Sequence, residues 1–156
     1  MCRTASALPR MIYLFNMIEF TVNGPAVPKQ RPRMGGRRAY TPKKTKDYEC
    51  KVRQAFSDAY HGDIPAYKDG VPVRACIEVI QGVPQSWSKK KREAALQNHV
   101  APTSRNGDLD NIAKSILDAL NECVYRDDAQ ITTLLISKRY GEEPQAIVKF
   151  CEDKHE

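Results

Sequence analysis

The sequence predicts an α+β fold: a small mixed β-sheet packed with about three helices in a single domain. Three observations predict it. Several stretches alternate apolar and polar residues, as strands with one buried face do. Others repeat apolar residues at helical spacing. Both kinds interleave along 156 residues with 41% hydrophobic content, enough for one real core and little more.

Residues 1–16 look unlike the rest and read as a poorly attached leader or an upstream start, so the domain is expected to occupy 17–156. Residues 17–22, MIEFTV, form the first strand, stopped by Asn23-Gly24-Pro25. Residues 24–42 are too rich in proline and glycine for a helix and read as a loop. A helix follows, with Thr41 as its cap and Pro42 in its first position. Tyr48, Val52, Ala55, Phe56 and Ala59 would face the core.

Residues 71–79 alternate as a second strand. Ser86-Trp87-Ser88 leads into a short basic helix, KKKREAALQNH, and residues 100–107 are irregular. A helix over 109–121 comes next. Strands over 130–140 and 145–151 are joined by Gly141-Glu142-Glu143, which reads as a hairpin-like turn.

The formal net charge of +6 favours an anionic partner, nucleic acid before membrane surface. The five cysteines lack metal-ligand spacing, which argues against zinc and for reduced, mostly buried thiols in a cytoplasmic protein. The apolar run at 11–15 is too short for a signal-peptide core, and nothing reads as a membrane span.

Within this basic chain, Asp108, Asp110, Asp118, Asp127 and Asp128 crowd one segment, GDLDNIAKSILDALNECVYRDDAQI. Crowded carboxylates repel unless a proton, a cationic side chain or a divalent metal offsets their charge. A helical projection puts Ile112, Ile116, Leu117 and Leu120 on one side and Asp110, Lys114, Asp118 and Asn121 on the other. If the chain enters this helix extended, Asp108 and Asp110 point the same way, and Asp127-Asp128 can fold back beside them. Such oxygens suit Mg²⁺, which takes one or two carboxylates and keeps several waters. Ordinary ion pairs on a solvated face, worth about 0.3–0.5 kcal/mol each, explain the same stripe. An EF-hand is excluded, because the central glycine and terminal glutamate are missing.

Residues 29–46 carry Lys29, Arg31, Arg33, Arg37, Arg38, Lys43, Lys44 and Lys46 and no acid. Gly35-Gly36 permits close backbone approach, and Tyr40 offers a ring for stacking. Arginine forks point to phosphate contact, with a mobile solvated loop as the plain alternative. Lys89, Lys90, Lys91 and Arg92 read equally as an extension of that track or as a solvated helix face.

Together, KQRPRMGGRRAYTPKKTKDYE, PQSWSKKKREAAL, the acidic block and the strand ending KRY resemble the RusA family of Holliday-junction resolvases across roughly residues 17–151. The family is common in phages and prophages. The resemblance implies a Mg²⁺-dependent endodeoxyribonuclease (Mn²⁺ substituting) that hydrolyses phosphodiester bonds of a DNA four-way junction in recombination and repair. It implies a homodimer, two sites cutting two opposed strands, in a bacterial or phage-infected cell. Asp108, Asp110 and Asp128 match its metal ligands and Lys114 its essential lysine. Asp127 and Asp118 match supporting aspartates, and Lys29, Arg31, Arg33, Arg37 and Arg38 supply the DNA contact. Gly107 departs from the pattern, since some members carry a basic residue there. A non-catalytic nucleic-acid binder and an RNA-directed nuclease of the same chemistry are the rival readings.

Overall fold

A computed structural model describes residues 17–103 and 108–154. The expected leader, residues 1–16, and Gly107 lie outside the described residues. The α+β expectation holds: among the described residues there are a four-stranded mixed sheet, a two-stranded ribbon and helices over three of the expected segments.

Strand β1 (Ile18–Asn23) buries Ile18, Phe20 and Val22 on alternate positions. Two short strands, β2 (Arg33–Gly35) and β3 (Arg38–Tyr40), precede helix α1 (Lys43–Ala59). Strand β4 (Val73–Gly82), helix α2 (Lys89–Leu96) and helix α3 (Leu109–Ala119) follow. A 3₁₀ turn over Asp128–Gln130 then opens into β5 (Ile131–Gly141), and β6 (Gln145–Glu152) closes the sheet.

The sheet order is β1-β6-β4-β5, with β4 and β5 parallel and the other pairs antiparallel. Helices α1 and α3 pack against each other, and their apolar faces join one core. Phe56 of α1 meets Phe20 of β1 edge-on with ring centroids 5.9 Å apart. Ile112, Ile116, Leu117 and Leu120 are buried, as the projection predicts. Tyr125 lies beneath α3, donating its hydroxyl to the Leu117 carbonyl at 2.7 Å.

The structure corrects several expectations. Strands β5 and β6 form no hairpin, because β4 lies between them and pairs with both. The connection crosses the end of β4, where a Cβ on Gly141 would collide with Ile80. Alternation reads which face of a strand is buried and says nothing about its neighbour. The loop over 24–42 contains the β2–β3 ribbon, turned by Gly36 at φ 67°. Pro42 itself occupies the cap position of α1 and no side chain caps it, so Thr41 does not serve. Ala59 is exposed at the end of α1, while Val71 lies outside β4. Of the described thiols, Cys50 is exposed and Cys76, Cys123 and Cys151 are half-buried.

Candidate active site

Helix α3 positions the acidic residues. Asp108 holds the cap position and its carbonyl accepts the Ile112 N–H at 3.0 Å, but its carboxylate caps nothing. Asp110 follows in the first turn, where the helix dipole favours negative charge. The expected extended Asp-Leu-Asp is replaced by a helix that starts at Leu109, so Asp110 takes a helical direction instead. Asp110 and Lys114 are exposed. Among the described residues no ion pair joins Lys114 to Asp110 or Asp118, so the ladder of an ordinary solvated face does not form.

Asp118 pairs instead with Lys29, whose ammonium lies 3.2 Å away. The same ammonium bonds Glu49 of α1, and the Lys29 backbone N–H donates to the Asn111 carbonyl at 2.8 Å. One residue of the basic loop thus fastens that loop to both helices. Burial alone would push the Lys29 ammonium down, but the hydrogen bonds and charges of Glu49 and Asp118 outweigh it and hold it above its ordinary value. Expected among the phosphate-binding cations, Lys29 here pairs with two carboxylates. Glu49 escapes sequence reasoning, since the signal (an acid at the end of a basic run) looks like any solvated helix position.

The double aspartate divides its labour. Asp127 caps the 3₁₀ turn, accepting from the Ala129 N–H at 2.8 Å. Gln130 reciprocates by accepting from the Asp127 N–H at 3.4 Å and also from the Arg126 N–H at 3.0 Å, and its amide donates to the carbonyls of Lys68 and Val71. Asp128 is left facing charge. Burial raises its carboxyl above the ordinary range, a hydrogen bond with Asp127 and the charges of Asp118 and Asp127 add to that, and Lys114 partly offsets them.

The fold therefore brings Lys114, Asp118, Asp127 and Asp128 into one electrostatic neighbourhood, with Asp108 and Asp110 at the entry of the same helix. Asp118, expected in a supporting role, contributes its charge to Asp128. Among the described residues no three His, Cys, Asp or Glu side chains form a group able to hold a metal ion. The donor chemistry nonetheless fits Mg²⁺: hard carboxylate oxygens, and an Asp128 whose crowding a cation would relieve.

In the loop that Lys29 fastens, Arg31 and the ribbon residues Arg33, Arg37 and Arg38 are all exposed. Arg33 stands opposite Tyr40, which is 48% exposed, and Met34 opposite Ala39. Arginine forks and an open ring on a two-stranded finger suit phosphates and bases.

The small α+β domain thus carries carboxylates and a lysine on one helix and exposed arginines on a two-stranded ribbon. Its sequence matches the family described as Endodeoxyribonuclease RusA over residues 23–150, and the chain belongs to that family. Membership makes it a nuclease of the kind that acts on Holliday junctions. It is also 36% identical over 141 residues to a Bacillus subtilis (strain 168) protein named "Uncharacterized protein YqaN", covering 86% of this chain and 96% of that one. Among the described residues no helix is long and apolar enough to cross a membrane.

Proposed function

We propose that the protein is a Mg²⁺-dependent, structure-selective endonuclease that resolves four-way DNA junctions by paired phosphodiester hydrolysis, acting as a homodimer in recombination and repair. The observation that supports this most is the convergence of Asp128, Asp118 and Lys114, with Asp108 and Asp110 on the same helix. Asp108, Asp110 and Asp128 would hold the cation. When bound, Mg²⁺ supplies Lewis acidity toward a phosphoryl oxygen and makes water a better nucleophile.

The remaining steps belong to the chain itself. Lys114 faces the reacting phosphate from α3 and stabilises charge that develops on its oxygens. Arg31, Arg33, Arg37 and Arg38 hold the flanking phosphates, and two copies address two opposed strands. Lys29 holds the loop in register by its bonds to Glu49 and Asp118.

Incubating the protein with a labelled four-way junction tests the proposal. Paired symmetric nicks in Mg²⁺ or Mn²⁺ and none in EDTA are expected, with sedimentation reporting two copies per particle. Binding without cleavage under every divalent metal would sink it, and faster cutting of RNA would redirect it. Asp110→Asn should abolish cutting while leaving junction binding intact or tighter. Lys114→Ala should lower the rate by about 10²-fold or more, as losing one charge-stabilising group does elsewhere.

A further inference from the structure

Between the start of α3, the end of β4 and the segment before α2 lies a cavity of about 480 Å³. Trp87, Tyr140, Ile112, Pro25 and Pro144 wall it, and Gln81 brings an amide to the lining. Apolar walls with few polar groups, at this volume, characterise a site for a small molecule or a flat ring. Trp87, the single tryptophan of the chain, is half-exposed and stands edge-to-face with Tyr140, ring centroids 5.2 Å apart. The Lys91 ammonium lies 3.9 Å from the Trp87 ring centroid, and Lys89 and Lys90 are exposed beside it.

Charge complementarity selects the occupant. A cavity whose Trp87 wall carries the Lys91 ammonium, in a chain of net charge +6, suits a ligand with apolar faces and an anionic edge. Its position sharpens this, because Ile112 belongs to α3 and follows Asp110 by one turn or less. We propose that this cavity receives an unpaired nucleobase of the DNA substrate against Trp87, while Lys89, Lys90 and Lys91 meet the adjoining phosphates. The inference deepens the junction-nuclease reading and rests on it. Bases at a branch point are the cheapest to extrude, since little stacking is lost, and aromatic packing accepts any base face.

The full chain carries its own probe, because its tryptophan emission comes from Trp87 alone. In EDTA, where no strand is cut, it is titrated with a perfect duplex and with the same duplex carrying an unpaired bulge. Anisotropy of labelled DNA reports occupancy. At saturation the bulged probe should quench Trp87 and the duplex should leave it unchanged. With 2-aminopurine in the bulge, wild type and Trp87→Phe should alter the probe's emission and Trp87→Ala should not. Trp87→Ala should also weaken binding of the bulged probe on the order of tenfold relative to duplex.

Unchanged Trp87 emission with the bulged probe fully bound would overturn the inference even if junction cleavage persists. If a four-way junction binds and the bulged probe does not, the cavity inference falls and the junction reading stands; if none of the three DNAs binds, both fall. Because the wild-type emission decides the question, a Trp87→Ala chain that fails to fold leaves the test standing.

Discussion

Asp128 is exposed, yet its surroundings disfavour its charge. Burial and two neighbouring carboxylates raise it, so the native state binds its proton more tightly than the unfolded chain does. The charged form therefore destabilises the protein above the raised value, and that penalty fades as pH falls toward the ordinary aspartate value of about 3.9. Asp128→Asn in EDTA should raise the melting temperature at pH 7, and the gain should shrink as pH is lowered to 4. A variant that melts no higher than wild type at pH 7 would show that Asp128 is not crowded. The same substitution should abolish cleavage, which is the trade-off expected where like charges are held together for function. Lys29 shows the opposite sign. Its raised ammonium contributes stability in full below lysine's ordinary range and loses it only as pH climbs through the raised value. Glu49→Gln should thus cost about 1–3 kcal/mol at neutral pH, measured by urea denaturation, because a charged hydrogen bond between largely buried side chains is lost.

At the scale of elements, the β2–β3 ribbon separates phosphate contact from catalysis. Its arginines are exposed, and Lys29 fixes its base to α1 and α3. Arg33→Ala with Arg38→Ala should leave the melting temperature within about 1 °C and weaken junction binding. The slope of log K against log salt should fall by about one for each phosphate contact removed. An unchanged slope would place the DNA elsewhere. That ribbon was invisible in the sequence because three-residue strands bury nothing and leave no alternation to read. Helix α3 was legible for the converse reason: its apolar positions recur so regularly that the buried face, and the Asp and Lys positions opposite it, follow from geometry. The partners of β5 and β6 were not legible, since the insertion of β4 between them depends on pairing far along the chain. The roles within Asp127-Asp128 depended on a cap and on Gln130 reaching Lys68 and Val71, contacts no local pattern encodes.

For the whole molecule, a cation held at the candidate site would couple fold and activity through one quantity. Carboxylates gathered on α3 and the 3₁₀ turn repel one another in the folded state, and unfolding disperses them. A divalent cation that binds the folded chain alone must then stabilise it by RT ln(1 + [Mg²⁺]/Kd), about 2.7 kcal/mol at a hundredfold excess over Kd. For a chain of this size each kcal/mol moves the melting temperature by about 2–4 °C, so saturating Mg²⁺ should raise it by roughly 5–10 °C. NaCl at equal ionic strength should raise it less, because monovalent ions screen these exposed carboxylates without being coordinated by them. Asp110→Asn and Asp128→Asn should each flatten the Mg²⁺ response, whereas Arg33→Ala should leave it intact. If the wild-type chain melts at the same temperature in Mg²⁺ and in EDTA, the carboxylates do not form a metal site in the free protein. The cation would then have to enter with the DNA phosphate, and the Mg²⁺ response should appear only when uncut junction is bound.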